Sequence, residues 1–586
     1  MIDLTSIYHR AVDNYCYLHD SETLHIRIRT KKENVSEIEI IYGDQYETSD
    51  YRWVTFRQGM KKTGSDGLFD YWQTAIKSDH KRVRYGFILK NDEQQITLTE
   101  KGFSPFIPED TGWYFCFPYM HKKDLFSPPK WVYETIWYQI FPERFRNGNA
   151  SLNPDHTVGW GEEEPNLTNF FGGDFQGIME ALDYLEDLGI TGIYLTPIFY
   201  AKSNHKYDTI DYFKIDPQFG DIDLFRRLVE ECHNRGIRVM LDAVFNHSSD
   251  QFPPFQDVLV NGENSPYKDW FHINQFPVRE ENGFHYETFG FYENMPKLNT
   301  SNPEVKKYLF EIASYWITEC NIDGWRLDVA NEIDHCFWRE FRSTVKAIKP
   351  DLFILGEVWH DALPWLRGDQ FDSVMNYPVL SKSLQFFAYD MLSAQQFIED
   401  ITTILQQYSD NVNHLLFNIV GSHDTPRILN ECQYRKERVK LLFTFLMTYP
   451  GTPCIYYGDE IGLDGGSDPG CRKCMPWQEE HHDLDFKNYI KTLIRIRKET
   501  PLLTFDGPLY FLPPIDKCFA YYKENDSEYI VVILNHSDQE IHYTLPFSLK
   551  GKKITMLINH HEYAAEAQEL TVVMKPYESN ILSFAR

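Results

Sequence analysis

The chain has 586 residues, 42% of them hydrophobic, and a net charge of −28 with histidine neutral. That length leaves room for several domains, one with a large core. The acidic balance argues against binding nucleic acid or an anionic membrane surface, and it selects no neutral substrate. No run of 18 apolar residues occurs, so no membrane span is expected. The ten cysteines follow no framework spacing, and the N-terminus lacks a basic stretch followed by an apolar one. Both features predict reduced core thiols and a cytoplasmic location. Cys471 and Cys474 form the one C-x-x-C, without the second pair or βαβ setting that zinc or redox chemistry needs.

Residues 1–125 read as β structure. Segments 36–42, 84–90 and 113–117 are strand candidates with turn residues between them, and no long helical period interrupts them. A β-sandwich is the economical expectation. Two prolines at 128 and 129 mark a boundary. Strand and helix then alternate over 126–505. Residues 136–140 are an apolar strand. Ile178, Leu182, Leu185 and Leu188 have helical spacing over 175–188. Residues 192–196 are a second strand, and Leu224, Leu228 and Cys232 line a helix ending near Gly236. The third strand carries Asp242. A long segment, about 248–300, precedes the helix at 303–320, and insertions of this length are usually functional. Further strands end at Asp328 and Glu357, a sixth spans 371–376, a seventh ends at Asp424 and an eighth spans 454–459. Eight such units predict a (β/α)8 TIM barrel. Alternation returns after 505, at 529–534 and 579–584, and predicts a C-terminal β-sandwich over 506–586.

Four of the barrel strands end on a carboxylate within a polar tip: Asp242-Ala-Val-Phe-Asn-His247, Gly324-Trp-Arg-Leu-Asp328, Gly356-Glu-Val-Trp-His360 and Gly421-Ser-His-Asp424. The C-terminal tips of barrel strands are where this architecture places chemistry. Arg326 and Asp328 are two apart on one strand and face the same way. A guanidinium beside a carboxylate favours its ionised form, which suits a nucleophile. Glu357 on the neighbouring strand can give and take the proton, and acids converging in this way point to glycosidic bond cleavage.

Together these segments resemble the four diagnostic regions of the α-amylase family of glycoside hydrolases. The resemblance implies Asp328 as nucleophile, Glu357 as acid/base and Asp424 as transition-state stabiliser, with retention of anomeric configuration. It implies sugar contacts from His247 and His423, a supporting role for Asp242 and Asn246, and an aromatic platform at Tyr207. Met295-Pro-Lys-Leu-Asn299, residues 329–335 and the N-terminal β domain resemble the neopullulanase, cyclomaltodextrinase and maltogenic amylase branch. Within that branch, Glu332 would face the acceptor side, Asp468 and Arg472 would contact sugar beyond the cleaved bond, and Trp359 and Phe289 would stack on the acceptor. Asn147, Asn149, Asn153, Gly172 and Asp174 resemble a structural calcium site of the group, with Asp174 the one acid among them. The implied protein is a retaining α-glycosidase acting on α-1,4 bonds of cyclodextrins, maltodextrins and pullulan, with transglycosylation open to it. No organic cofactor is implied, and the resemblance implies a homodimer formed through the N-terminal domain. The alternatives are an α-glucosidase or oligo-1,6-glucosidase, and a non-catalytic amylase-like sugar-binding protein.

Overall fold

The computed structural model describes residues 1–281, 283–504 and 507–586. The expected boundary at 505/506 lies outside the described residues. The chain separates into two compact units. One joins Met1–Ser127 and Asp390–His414 to the C-terminal strands; the other comprises Pro128–Tyr389 and Leu415–Thr504.

In the first unit, Thr23–Lys31 and Phe69–Lys77 pair antiparallel along their whole length, from Thr23 opposite Lys77 to Lys31 opposite Phe69. Leu24, Ile26 and Ile28 alternate on the first strand and meet Ile38, Ile40, Phe87 and Leu89 from a second sheet. Such period-two burial is what two facing sheets require. The C-terminal strands form a six-stranded antiparallel sheet centred on Glu528–Asn535, with Val531, Ile533, Leu582 and Phe584 in its core. Residues 390–414, expected within the barrel domain, belong to this unit. Their helix Ala394–Gln407 starts on a Ser393/Gln396 capping box and sets Phe397 against Phe519, ring centroids 5.3 Å apart.

The second unit is the barrel. Its strands are β1 (Trp137–Ile140), β2 (Gly192–Leu195), β3 (Arg238–Ala243), β4 (Gly324–Leu327), β5 (Phe353–Gly356), β6 (Ser373–Val374), β7 (Phe417–Ile419) and β8 (Thr452–Tyr456). All pair parallel in the order β6-β5-β4-β3-β2-β1-β8-β7, and a parallel bridge from Met375 to Phe417 joins the two ends. The strands are buried on both faces, which explains their near-continuous apolar character. The helix expected over 175–188 is two: Phe175–Glu180, capped by Asp174, and Leu182–Leu188, ended by Gly189 at φ 96°. Pro303–Cys320 forms as expected, with Asn302 at its N-cap, Pro303 in its first turn and Asn321 in the left-handed conformation at its end. The 248–300 insertion carries a helix at Pro253–Asn261, then folds back so that Lys297 bridges His247 at the tip of β3.

Candidate active site

The barrel register sets Arg326 on β4 beside Asp242 on β3, and both side chains are fully buried. Arg326 Nη1 donates to both Asp242 oxygens at 3.0 Å and to Asp328 Oδ1 at 2.7 Å. Its Nη2 stands 2.8 Å from Glu357 Oε2. Ladder bonds from Asp328 N to Ala243 O and from Glu357 N to Leu327 O carry these two acids to the strand tips. One guanidinium thus faces three carboxyls, so full ionisation leaves two negative charges without a partner. Burial pushes Asp328 well above the usual carboxylate range, Arg326 opposes it, and Glu357 and Asp242 add to it. A cluster of this kind holds a proton that separate surface acids would release.

The backbone turns sharply after Asp328. Val329 adopts φ 46°, ψ 41°, a left-handed conformation that is costly for a β-branched residue. The turn aims its N–H at Glu357 Oε2, 2.9 Å away, while Trp359 Nε1 donates to Oε1 at 3.0 Å. Both oxygens of Glu357 are therefore oriented.

A second network fixes His423. Gln139 on β1 donates to its Nδ1 at 2.7 Å, which leaves Nε2 as the protonated nitrogen. Nε2 donates to the Tyr207 hydroxyl at 2.6 Å and lies 3.3 Å from Asp424 Oδ1. Tyr207 donates to Asp242 Oδ2 at 2.9 Å, and Tyr194 reaches the same oxygen at 2.6 Å. The Tyr207 and His423 rings lie 3° from parallel with centroids 5.3 Å apart. The Asp424 side chain is 31% exposed, against 8% for Asp328 and 9% for Glu357. Asp424 therefore presents the most open carboxylate of the three. Arg472 spans from Asp468 Oδ1 at 3.0 Å to Asp424 Oδ1 at 3.5 Å.

A model of the α-amylase catalytic domain matches residues 139–499. This chain belongs to the α-amylase family. Models of the α-amylase N-terminal ig-like domain and of the maltogenic amylase C-terminal domain match residues 1–121 and 509–581. The chain is 54% identical over 575 residues to a cyclomaltodextrinase of Geobacillus thermopakistaniensis (strain MAS1), covering 98% of each chain. It is 52% identical over 583 residues to a maltogenic alpha-amylase of Bacillus acidopullulyticus, covering 99% of each. A solved cyclomaltodextrinase structure superposes with a TM-score of 0.94 at 44% identity, covering the whole of both chains.

The other sugar-contact candidates of this α-amylase family member take distinct positions. His247 is buried, and its ring stacks on Phe289 at 4.8 Å. Trp359 is half exposed and lies flat on Tyr377, centroids 3.6 Å apart. Glu332 is exposed and paired with Lys297 at 2.8 Å. Lys297 belongs to the Met295–Asn299 motif, whose backbone pairs with the tip of β3 through Ser248 N to Pro296 O and Leu298 N to Asn246 O. Gln139, Tyr194 and Tyr377 escaped the sequence reading, as did the turn at Val329. The first two reach His423 and Asp242 from within strands, where a polar residue in an apolar run is the available signal.

The expected metal residues lie on two segments, 147–153 and 172–174. Asp174 Oδ1 accepts from Gly177 N, and Oδ2 from Gly148 N and Asn149 N. Asn147 Nδ2 donates to Asn153 Oδ1 at 3.0 Å. A Cβ on Gly172, at φ 83°, would fall 2.3 Å from Asn153 Oδ1, so these residues converge closely. The donor set offers oxygens of the kind a hard cation takes, with a single formal charge. Among the described residues no group of three or more His, Cys, Asp or Glu is placed to hold a metal.

Burial pushes His247 down to about 3 and His423 well below its ordinary value, where Arg472 and Arg326 add to the effect. Both rings are therefore neutral hydrogen-bonding groups across the physiological range. Ring nitrogen shifts in 15N-histidine NMR should stay flat for both between pH 8 and 5. A midpoint near 6.5 at either residue would mean that water solvates the ring.

Proposed function

We propose that this chain is a retaining α-glycosidase that hydrolyses α-1,4-glucosidic bonds of cyclodextrins, short maltodextrins and pullulan. The observation that carries the reading is the sharing of buried Arg326 among Asp242, Asp328 and Glu357 at adjacent strand tips of an α-amylase catalytic domain. Arg326 holds Asp328 Oδ1, and the carboxylate's other oxygen attacks the anomeric carbon. Glu357 gives its proton to the departing glycosidic oxygen, and a covalent glucosyl-enzyme forms on Asp328. Glu357 then takes a proton from water, which attacks the same carbon and restores Asp328. Two inversions leave the configuration unchanged. A sugar hydroxyl in place of water gives transglycosylation. Asp424, with His423 beside it and His247 across the site, takes up sugar hydroxyls as positive charge develops on the ring.

The test is product analysis with β-cyclodextrin, pullulan and soluble starch, with anomeric protons followed by NMR. The expected result is rapid opening of cyclodextrin, slow attack on starch and products first formed as α-anomers. Asp328→Asn should lose about 10⁴-fold or more in kcat, the scale of removing a covalent catalyst. β-anomers as first products would overturn the double displacement. A wild type inactive on all three glucans would return the glucosidase and binding-protein readings.

The same reading places the enzyme in the cytoplasm as a homodimer. No helix among the described residues is long and apolar enough to cross a membrane, and the described cysteines are all free. Tyr46, Tyr51 and Phe56 are exposed aromatic side chains of the N-terminal sandwich that a second copy would cover. In this arrangement the sandwich of one protomer walls its partner's cleft and excludes bulky starch. Sedimentation at micromolar concentration should give the dimer mass, and a monomer alone would remove the wall.

Asn147, Asn149, Asn153, Gly172 and Asp174 would hold a structural Ca2+, weakly for want of charge and remote from the reaction. Titration of chelator-treated protein should show calcium uptake in the millimolar range. No uptake there would leave an Asn/Gly turn closed by its own hydrogen bonds.

A further inference from the structure

Among the buried arginines outside the carboxylate cluster, Arg144 follows β1 and Arg427 follows β7. Both spend donors on the backbone that carries Arg472. Arg427 Nε donates to Cys471 O at 2.9 Å, and Arg144 Nη1 donates to Arg472 O at 3.0 Å. The Tyr457 hydroxyl donates to the next carbonyl, Lys473 O, at 2.6 Å. Three consecutive carbonyls are thus held by three side chains from separate elements. Each arginine has its own carboxyl partner, Arg144 with Glu143 and Arg427 with Asp459. Glu143 also accepts from the N–H groups of Phe171 and Gly172, and Arg427 Nη1 donates to Tyr457 O at 2.5 Å.

Burying a guanidinium is costly even when it is paired. Charge balance alone would be met by apolar residues in place of each pair. What an apolar replacement could not do is hold successive carbonyls in register. With its main chain pinned, Arg472 donates from Nε to His423 O at 3.0 Å and keeps Nη2 between Asp468 and Asp424.

We propose that Arg144 and Arg427 are positioning residues that clamp the 471–473 backbone and thereby aim the Arg472 guanidinium at Asp424 and the sugar it binds. They act on substrate through Arg472. A planar fork with five donors suits this task, and a lysine ammonium does not reproduce it.

The inference rests on the proposed glucan hydrolysis, and a double-mutant cycle separates the two. KM and kcat on β-cyclodextrin are measured for Arg427→Lys, Arg144→Lys and Tyr457→Phe, each in the wild-type and the Arg472→Met background, with thermal midpoints alongside. Tyr457→Phe removes one hydroxyl and serves where a lysine variant fails to fold. In the wild-type background the expected result is a rise in KM of about 10- to 100-fold for the lysine variants, the scale of a displaced binding group, and a smaller rise for Tyr457→Phe. In the Arg472→Met background the same changes should add little, because the group they position is gone. Equal fold-losses in both backgrounds, or a lowered midpoint with KM unchanged, would overturn the clamp while leaving the hydrolase reading intact. An inactive wild type would overturn the hydrolase reading itself.

Discussion

Everything at the mouth of this barrel is arranged around one buried guanidinium. Arg326 has no exposure and faces three carboxyls from β3, β4 and β5. At an effective dielectric of about 20, opposite charges about 3 Å apart attract by about 5 kcal/mol. Each buried ion also costs several kcal/mol to desolvate. The balance is favourable only while the contacts persist together, so the strand tips cannot drift independently. Burial and the neighbouring carboxyls push Asp328 up, because one positive charge cannot neutralise three negative ones. One electrostatic constraint thus ties the three acids together, and the barrel register supplies it by setting Asp242 opposite Arg326.

Much of this was legible in the sequence because it depends on local pattern. Buried parallel strands read as short apolar runs, and eight of them alternating with helical spacing leave few topologies. The acids at four strand tips stand in short segments that also carry Gly, Arg or His, and the order of those segments is as informative as their composition. Pro303–Cys320 could be bounded from Asn302, Pro303 and Asn321 alone.

What escaped depends on contacts between distant segments. Gln139 sets the His423 tautomer across 284 residues, and Tyr194 reaches Asp242 across 48. Each reads in sequence as an ordinary polar residue within a strand. The helix Ala394–Gln407 has the period and cap of a barrel helix. Its place in the other unit follows from the surface that receives Phe397, and periodicity does not carry that information. Residues 175–188 keep one apolar stripe through a break at Ala181, because the stripe survives a change of backbone that hydrogen bonding does not.

Val329 shows how local cost and site geometry are tied. A valine in the left-handed region sits about 1–2 kcal/mol above its relaxed conformations, and a glycine would relieve the strain. Glycine would also free the turn, and the N–H that meets Glu357 Oε2 would no longer be held to one direction. The branched side chain, hostile to this conformation, narrows the alternatives available once the surrounding contacts impose it. Asp328 on one side of the turn is fixed by Arg326, and Ala330 on the other accepts from Trp338 Nε1 at 2.9 Å. The strain is held between those anchors, and it sets the direction of the N–H that meets Glu357 beside Asp328.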